Sequence, residues 1–242
     1  MTRTRSVDGW AGRLLRCVLP PRCLLCGAAG RQGRDLCAGC AADFPLNSPC
    51  CPRCALPLKT PAPLCGECLE REPPFAVAWA PFRYAHPLDL LEARFKFRGD
   101  LAAGRVLAEL MIERARLETL SLPATIVAVP LHVSRLRARG YNQALELAKP
   151  LARALGIPLD RDLLVRLRAT PAQTGLDAAA RRRNLRGAFA VAKGRALPHH
   201  VVLVDDVMTT GATLRECART LRRAGVARVD AWVLARAPQR NR

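Results

Sequence analysis

Four Cys-x2-Cys pairs in the first third of the chain constrain its fold more than any other feature. Cys23 and Cys26 are followed by Cys37 and Cys40, and Cys51 and Cys54 by Cys65 and Cys68. Ten residues separate the pairs within each set, and the second set repeats the first at an offset of 28 residues. Two thiolates three positions apart on a tight knuckle reach one ion, and a second knuckle completes a tetrahedron. Zinc is the default ion for a closed four-thiolate site. The spacing leaves open whether each repeat closes its own site or the knuckles pair across repeats, so one or two structural zinc ions are expected. Cys50 is an alternative ligand to Cys51. Gly27 and Gly66 are read as the relaxed backbone positions a knuckle needs, and Cys17 as a spare thiol in a short leading helix.

A disulfide framework competes with this reading. The stretch MTRTRSVDGWAGRLLRCVLPP is basic but has no apolar core or small-residue cleavage site, so no secretory leader is read and a cytoplasmic, reducing compartment is expected. The cysteine-rich segment has few large apolar side chains, so metal would supply its folding free energy. With no open ligand position, the sites read as structural and not catalytic.

Composition excludes several classes. Half of the 242 residues are hydrophobic, enough for a sizeable core. No apolar run approaches 18 residues, which argues against membrane insertion. The net charge is +19, from 39 basic and 20 acidic residues. Residues 1–75 carry only +4 of it and residues 76–242 carry +15. A field of that sign concentrates polyanions: nucleic acid, phosphorylated metabolites or an acidic membrane surface.

Pro73–Pro74 marks the expected boundary between a zinc ribbon module with its leading helix, residues 1–74, and a second domain, residues 75–242. The second domain alternates strands and helices. Strands are read at 76–84, 124–130, 187–191, 199–206 and 226–237. Helices are read at 87–98, 101–118, from the cap Asn142 to Leu155, and from Thr213 to Ala224. This pattern predicts an α/β fold with a mainly parallel sheet and its ligand at the C-terminal strand ends.

The richest string is VVLVDDVMTTGATL, residues 201–214. A buried strand delivers Asp205 and Asp206, and Thr209, Thr210, Gly211 and Thr213 open a helix. Such a loop aims backbone N–H groups and hydroxyls at one spot, a phosphate cradle. Carboxylates beside it repel phosphate unless they hold ribose hydroxyls or Mg²⁺, so a sugar phosphate fits the whole set. A Walker loop is excluded because the terminal Gly-Lys is absent.

This string closely resembles the phosphoribosyl-pyrophosphate (PRPP) motif of type I phosphoribosyltransferases. In that family the acidic pair contacts the ribose hydroxyls and the Thr-rich loop holds the 5′-phosphate. The resemblance implies PRPP binding, with Mg²⁺, by Asp205, Asp206, Val207, Met208, Thr209, Thr210, Gly211, Ala212 and Thr213. Two further strings, VPLHVSRLRARGYNQ (129–143) and QTGLDAAARRRNLRGAF (173–189), resemble signatures of the ComF/ComFC competence proteins, as does LEARFKFRGD (91–100) with Lys96 and Gly99. That family joins a double zinc ribbon to a type I phosphoribosyltransferase-like domain with helices on both faces of the sheet, in the order seen here.

The resemblance places Arg135, Arg137 and Arg139 in a pyrophosphate loop after the second strand, of which Arg135 and Arg139 are taken as ligands. It places Arg181, Arg182, Arg183 and Arg186 in a mobile loop closing over PRPP, with Arg183 taken as a ligand. His132 reads as an ordinary loop residue, His199 and His200 as the end of a surface turn, and Cys217 as buried and inert. The family implies a role in DNA uptake during natural transformation, with contacts to single-stranded DNA and to a DNA-uptake helicase or other competence protein. Two alternatives remain: an active phosphoribosyltransferase acting on an unidentified acceptor, and a zinc-ribbon adaptor with a non-catalytic PRPP site. Aromatic residues make up 5% of the chain, too few for a long base-stacking platform, so DNA binding through the backbone phosphates is expected.

Overall fold

The 28-residue repeat of the cysteines is carried into the backbone of the computed structural model, which describes residues 20–168 and 185–238. Cys17, its leading helix, Arg181, Arg182 and Arg183 lie outside the described residues. In the first repeat Arg22 bridges Ala29; in the second, Cys50 bridges Pro57. The Cys23 N–H donates to the Ala28 carbonyl and the Cys51 N–H to the Leu56 carbonyl, both at 2.8 Å. Each repeat ends in a five-residue helix, α1 at Ala38–Ala42 and α2 at Gly66–Glu70.

The knuckle turn differs from expectation at one position. Gly27 closes the first knuckle with φ +76°, but the equivalent residue of the second is Ala55, with φ +54°. Gly66 instead opens α2. A left-handed alanine costs roughly 1 kcal/mol, so the second knuckle is held by what surrounds it.

The chain divides into two compact units, Met1–Phe44 and Pro45–Arg242. Composition changes at Pro73–Pro74, whereas the packing division falls between the two repeats. The reason is that the second repeat bonds to the sheet domain. The Ala78 N–H donates to the Arg53 carbonyl at 3.0 Å, and the Asn47 amide to the Ala55 and Ala80 carbonyls at 2.8 and 3.1 Å.

In the second unit the expected strand over 76–84 is split into β1, Ala78–Trp79, and β2, Phe82–Arg83. Pro81 lies in the gap, where it has no N–H to give a ladder. Both pieces pair parallel with β8, Arg228–Arg236, in one continuous register: Ala78 faces Ala231 and Phe82 faces Ala235. Helices α3, Leu88–Phe97, and α4, Leu101–Leu117, follow, the latter capped by Asp100. Strand β3, Thr125–Ala128, leads to helix α5, Val133–Arg139, and helix α6, Gln143–Leu155.

Strands β4, Leu159–Asp160, and β7, His200–Met208, flank β3 in parallel. The sheet order is β1-β8-β7-β3-β4, with β2 also on β8. Strands β5, Leu164–Arg166, and β6, Phe189–Val191, form a separate antiparallel pair. Helix α7, Ala212–Ala224, packs on β6, β7 and β8, and α6 on β3 and β7. The mainly parallel α/β reading therefore holds. Its core is apolar strand residues such as Leu203 and Val204, covered by Leu147 and Leu151 of α6 and Leu221 of α7.

Two local readings are corrected. His200 does not end a surface turn: it is buried at the start of β7 and lies 2.9 Å from the Asp230 carboxylate of β8. Asp230 also takes Arg228 at 2.9 Å and the Val77 N–H at 3.2 Å, which satisfies this buried polar group. The Arg-rich loop after the second core strand is in fact helix α5, capped by His132 and closed by Gly140 at φ +83°. Cys217 is buried, as expected.

Candidate functional site

Each cysteine repeat closes its own cluster. The Sγ atoms of Cys23, Cys26, Cys37 and Cys40 lie within 4.8 Å of one another, as do those of Cys51, Cys54, Cys65 and Cys68. Cys50 is in neither. Backbone donors turn toward the sulfurs: the Cys40 N–H to Cys37 Sγ and the Cys65 N–H to Cys51 Sγ, both at 3.4 Å. Burial pushes the Cys23 thiol up, but backbone N–H groups overcome this and pull it down to about 6; the same balance brings Cys51 to about 7. Burial and the neighbouring sulfurs push Cys40 and Cys68 up instead, so one thiol of each cluster gives up its proton readily and others need a cation to do so. Four converging sulfurs fit a structural soft-metal site. The clusters differ in depth: all four second-cluster cysteines are buried, but only Cys23 of the first.

A cleft of about 820 Å³ opens at the C-terminal ends of β3 and β7. Asp205, Asp206 and Val207 of β7, and Thr209 and Thr213 after it, form one wall; Arg135 and Arg139 of α5 stand on another. They lie four residues apart, on one face of the helix, while Arg137 faces away from it. A smaller pocket of about 70 Å³ lies alongside, lined by Asp205, Val207 and the whole run from Met208 to Thr213. It sits at the N-terminus of α7, where first-turn N–H groups have no helical acceptor. Gly211 makes the turn with φ +69°. Every described residue expected to bind a sugar phosphate thus lines one of two adjoining cavities. The acids lie within β7, which runs to Met208, and not at its very end.

The acidic pair is electrostatically asymmetric. Asp206 meets Lys96 of α3 at 3.0 Å, and Lys96 also meets Glu92 at 2.9 Å. The Tyr84 hydroxyl donates to the other Glu92 oxygen at 3.2 Å. Glu92 is only 1% exposed. Burial pushes its carboxyl up, with Lys96 opposing and Asp206 reinforcing. Burial would lower Lys96, but the two carboxylates raise it overall. Asp205 makes no ion pair among the described residues, and burial together with Asp206 pushes it up to about 8, with Lys96 opposing only in part. It is therefore poised to gain from hydroxyl donors or a hard cation, and carboxylate oxygens are the chemistry Mg²⁺ prefers. Across the cleft, burial and the neighbouring Arg135 lower Arg166 of β5, so anion binding there relieves repulsion between like charges.

Residues without an expected role complete the site. Gln143, 2% exposed at the start of α6, lines the cleft, and its Nε2 has no hydrogen-bond partner among the described residues. Glu92 carried a signal: an acid amid Leu88, Leu91 and Phe95 on the buried face of α3, with Lys96 four positions on. Arg236, at the end of β8, carried none.

The family model "Double zinc ribbon domain" matches residues 14–69, and "Phosphoribosyl transferase domain" matches residues 142–242. Competence protein F of Haemophilus influenzae is 40% identical over 89% of this chain and 97% of its own length. DNA utilization protein YhgH of Salmonella typhimurium is 39% identical over 90% and 98%. Competence protein ComFC of Streptococcus pneumoniae is 27% identical over 89% and 100%. Among solved structures, glutamine PRPP amidotransferase from B. subtilis aligns over 54% of this chain and 26% of that one, at 22% identity and TM-score 0.38. A purine phosphoribosyltransferase from Pyrococcus horikoshii Ot3 aligns over 56% and 87%, at 17% identity and TM-score 0.32. Among the described residues, no helix is long and apolar enough to cross a membrane.

Proposed function

This chain belongs to the ComF/ComFC competence-protein family, and we propose that it binds PRPP or a related sugar diphosphate with Mg²⁺ while handling single-stranded DNA during uptake. The observation that carries the reading is the convergence of Asp205, Asp206, Thr209, Thr213, Arg135 and Arg139 on one cleft. The loop from Thr209 to Thr213 holds the 5′-phosphate with first-turn N–H groups and hydroxyls. Asp205 and Asp206 accept from the ribose hydroxyls. Arg135 and Arg139, with the Gln143 amide, face the diphosphate. Mg²⁺ would screen the diphosphate charge, with Asp205 the nearest carboxylate not already paired to Lys96. Two four-cysteine clusters within a double zinc ribbon support zinc as the structural ion.

The DNA role rests on the names borne by the relatives and on the charge of +15 over residues 76–242. Backbone-dominated binding predicts affinity for single-stranded DNA that falls steeply with salt; an unchanged affinity between low and moderate salt would overturn it.

Calorimetric titration of the zinc-loaded protein with PRPP and Mg²⁺ tests the cleft. Saturable binding is expected, lost in the Asp205→Asn/Asp206→Asn double variant with zinc content unchanged. Equal binding by both proteins would refute the assignment. A second reading, transfer of phosphoribose to an acceptor, is favoured by one observation: Tyr84, Glu92, Lys96 and Phe97 line a wall of the cleft that the donor does not need. Pyrophosphate release with an acceptor panel would establish it, and silence across the panel would count against it.

A further inference from the structure

Arg236 is the largest fully buried side chain among the described residues. Among the described residues no carboxylate pairs with it; its hydrogen bonds go to main-chain carbonyls. Its Nη1 donates to Met208 O at 3.0 Å, to Thr209 O and to Ala237 O at 2.7 Å, while its Nε donates to Cys54 O at 3.3 Å. Met208 and Thr209 begin the anion loop, and Cys54 is a member of the second cluster. A guanidinium with donors fixed in a planar fork can hold several carbonyls in one geometry.

A second link joins the far end of the same loop. Arg215 lies in the first turn of α7, just after Thr213, and its Nη2 meets Glu67 Oε1 at 2.9 Å. Glu67 sits in α2, between Cys65 and Cys68 of the same cluster. The Arg215 guanidinium also stands 5.9 Å over the Phe75 ring. The loop from Thr209 to Thr213 is thus fastened at both ends to a single four-cysteine cluster.

We infer that Arg236 and the Arg215–Glu67 pair are positioning residues through which the second cluster holds the anion loop in its binding form. A metal ion at that cluster and a sugar phosphate at the loop then stabilise each other. This inference rests on the reading that the loop takes a phosphate. Linkage makes the coupling reciprocal: if the metal-filled cluster strengthens phosphate binding, bound phosphate retains the metal by the same factor.

The test reads both directions. In a Cys26→Ser/Cys40→Ser variant, which loses the first ion, the remaining zinc belongs to the second cluster. At equilibrium with a competing chromogenic chelator, the protein's apparent affinity for that ion should rise about fivefold or more with saturating ribose 5-phosphate. In the otherwise native chain one zinc equivalent should respond in the same competition and the other should not. Glu67→Gln, which removes no cysteine, should keep both zinc ions, bind ribose 5-phosphate several-fold more weakly and lose the protective effect. If ribose 5-phosphate binds yet leaves metal affinity unchanged, or if Glu67→Gln binds it with native affinity, the coupling is refuted while the assignment of the cleft stands. If ribose 5-phosphate and inorganic phosphate both fail to bind the zinc-loaded native protein at millimolar concentration, coupling and assignment fall together.

Discussion

The two cysteine repeats have the same spacing, the same bridge, the same knuckle bonds and the same short helix, yet they do different work. The first belongs to a compact unit ending at Phe44, and three of its four cysteines are not fully buried. The second belongs to the unit that contains the sheet, and all four of its cysteines are buried. Identical ligand spacing therefore specifies a metal site without specifying how much else depends on it. In the second repeat the surrounding packing even enforces a left-handed alanine, where the first uses glycine.

The largest expected effect breaks this symmetry directly. Structural zinc in such modules is worth about 10–16 kcal/mol, comparable to or larger than the whole stability of an ordinary domain, about 5–15 kcal/mol. Cys68→Ser should therefore abolish cooperative unfolding of the Pro45–Arg242 unit. Cys40→Ser should lose one zinc equivalent and leave that transition in place. Calorimetric melting with metal analysis distinguishes them, and equal damage from both would erase the contrast.

Next in size is Lys96→Met. It leaves the buried Glu92 facing Asp206 without their shared cation, a loss of about 3–5 kcal/mol. Both zinc ions should be retained, which separates damage to the cleft from damage to the clusters. Denaturant unfolding checks the stability, and zinc content checks the selectivity.

A pH series sharpens the role of the second unit. Its sign follows from the raised Asp205 carboxyl. The folded protein holds this proton more tightly than the unfolded chain does, so the stability it contributes is present at low pH. That stability is lost as pH rises from the ordinary carboxylate range toward about 8. A ligand that needs the ionised carboxylate must expel the proton, at up to about tenfold in affinity per pH unit. PRPP affinity should thus rise by about tenfold between roughly pH 6.5 and 8 and then level off, while Asp205→Asn shows a flatter profile in the same calorimetric titration. A parallel rise in both proteins would assign the effect to the ligand's own phosphates.

The smallest expected effect probes the knuckles themselves. Gly27→Ala meets no atom within 4 Å but must adopt φ +76°, at a cost of roughly 1 kcal/mol. Ala55→Gly relieves a similar strain and gives up a buried methyl worth about 0.8 kcal/mol, so the two nearly cancel. Chelator competition should show weaker metal binding in the first variant and little change in the second.

Much of this was legible in the sequence, for reasons that differ by element. The clusters and the loop from Thr209 to Thr213 are local: their residues are close in sequence, so spacing alone brings them together. The Arg135–Arg139 pair was legible as charge but not as a helix, because an Arg-rich string carries no apolar period; the cap at His132 and the stop at Gly140 define it instead. The burial of His200 against Asp230 and the contacts of Arg236 depend on partners far away in the chain. Cys54 and Arg236 meet only because β8 ends beside the second knuckle, and no spacing rule announces that. The packing division at Phe44–Pro45 has no compositional mark in the sequence.

The most direct measurement of the central claim is a crystal structure of the zinc-loaded protein with PRPP and Mg²⁺ at saturating concentration. The account predicts density for the 5′-phosphate on the loop from Thr209 to Thr213, the ribose at Asp205 and Asp206, and the diphosphate toward Arg135 and Arg139. PRPP bound elsewhere, or an empty cleft at saturation, would contradict it.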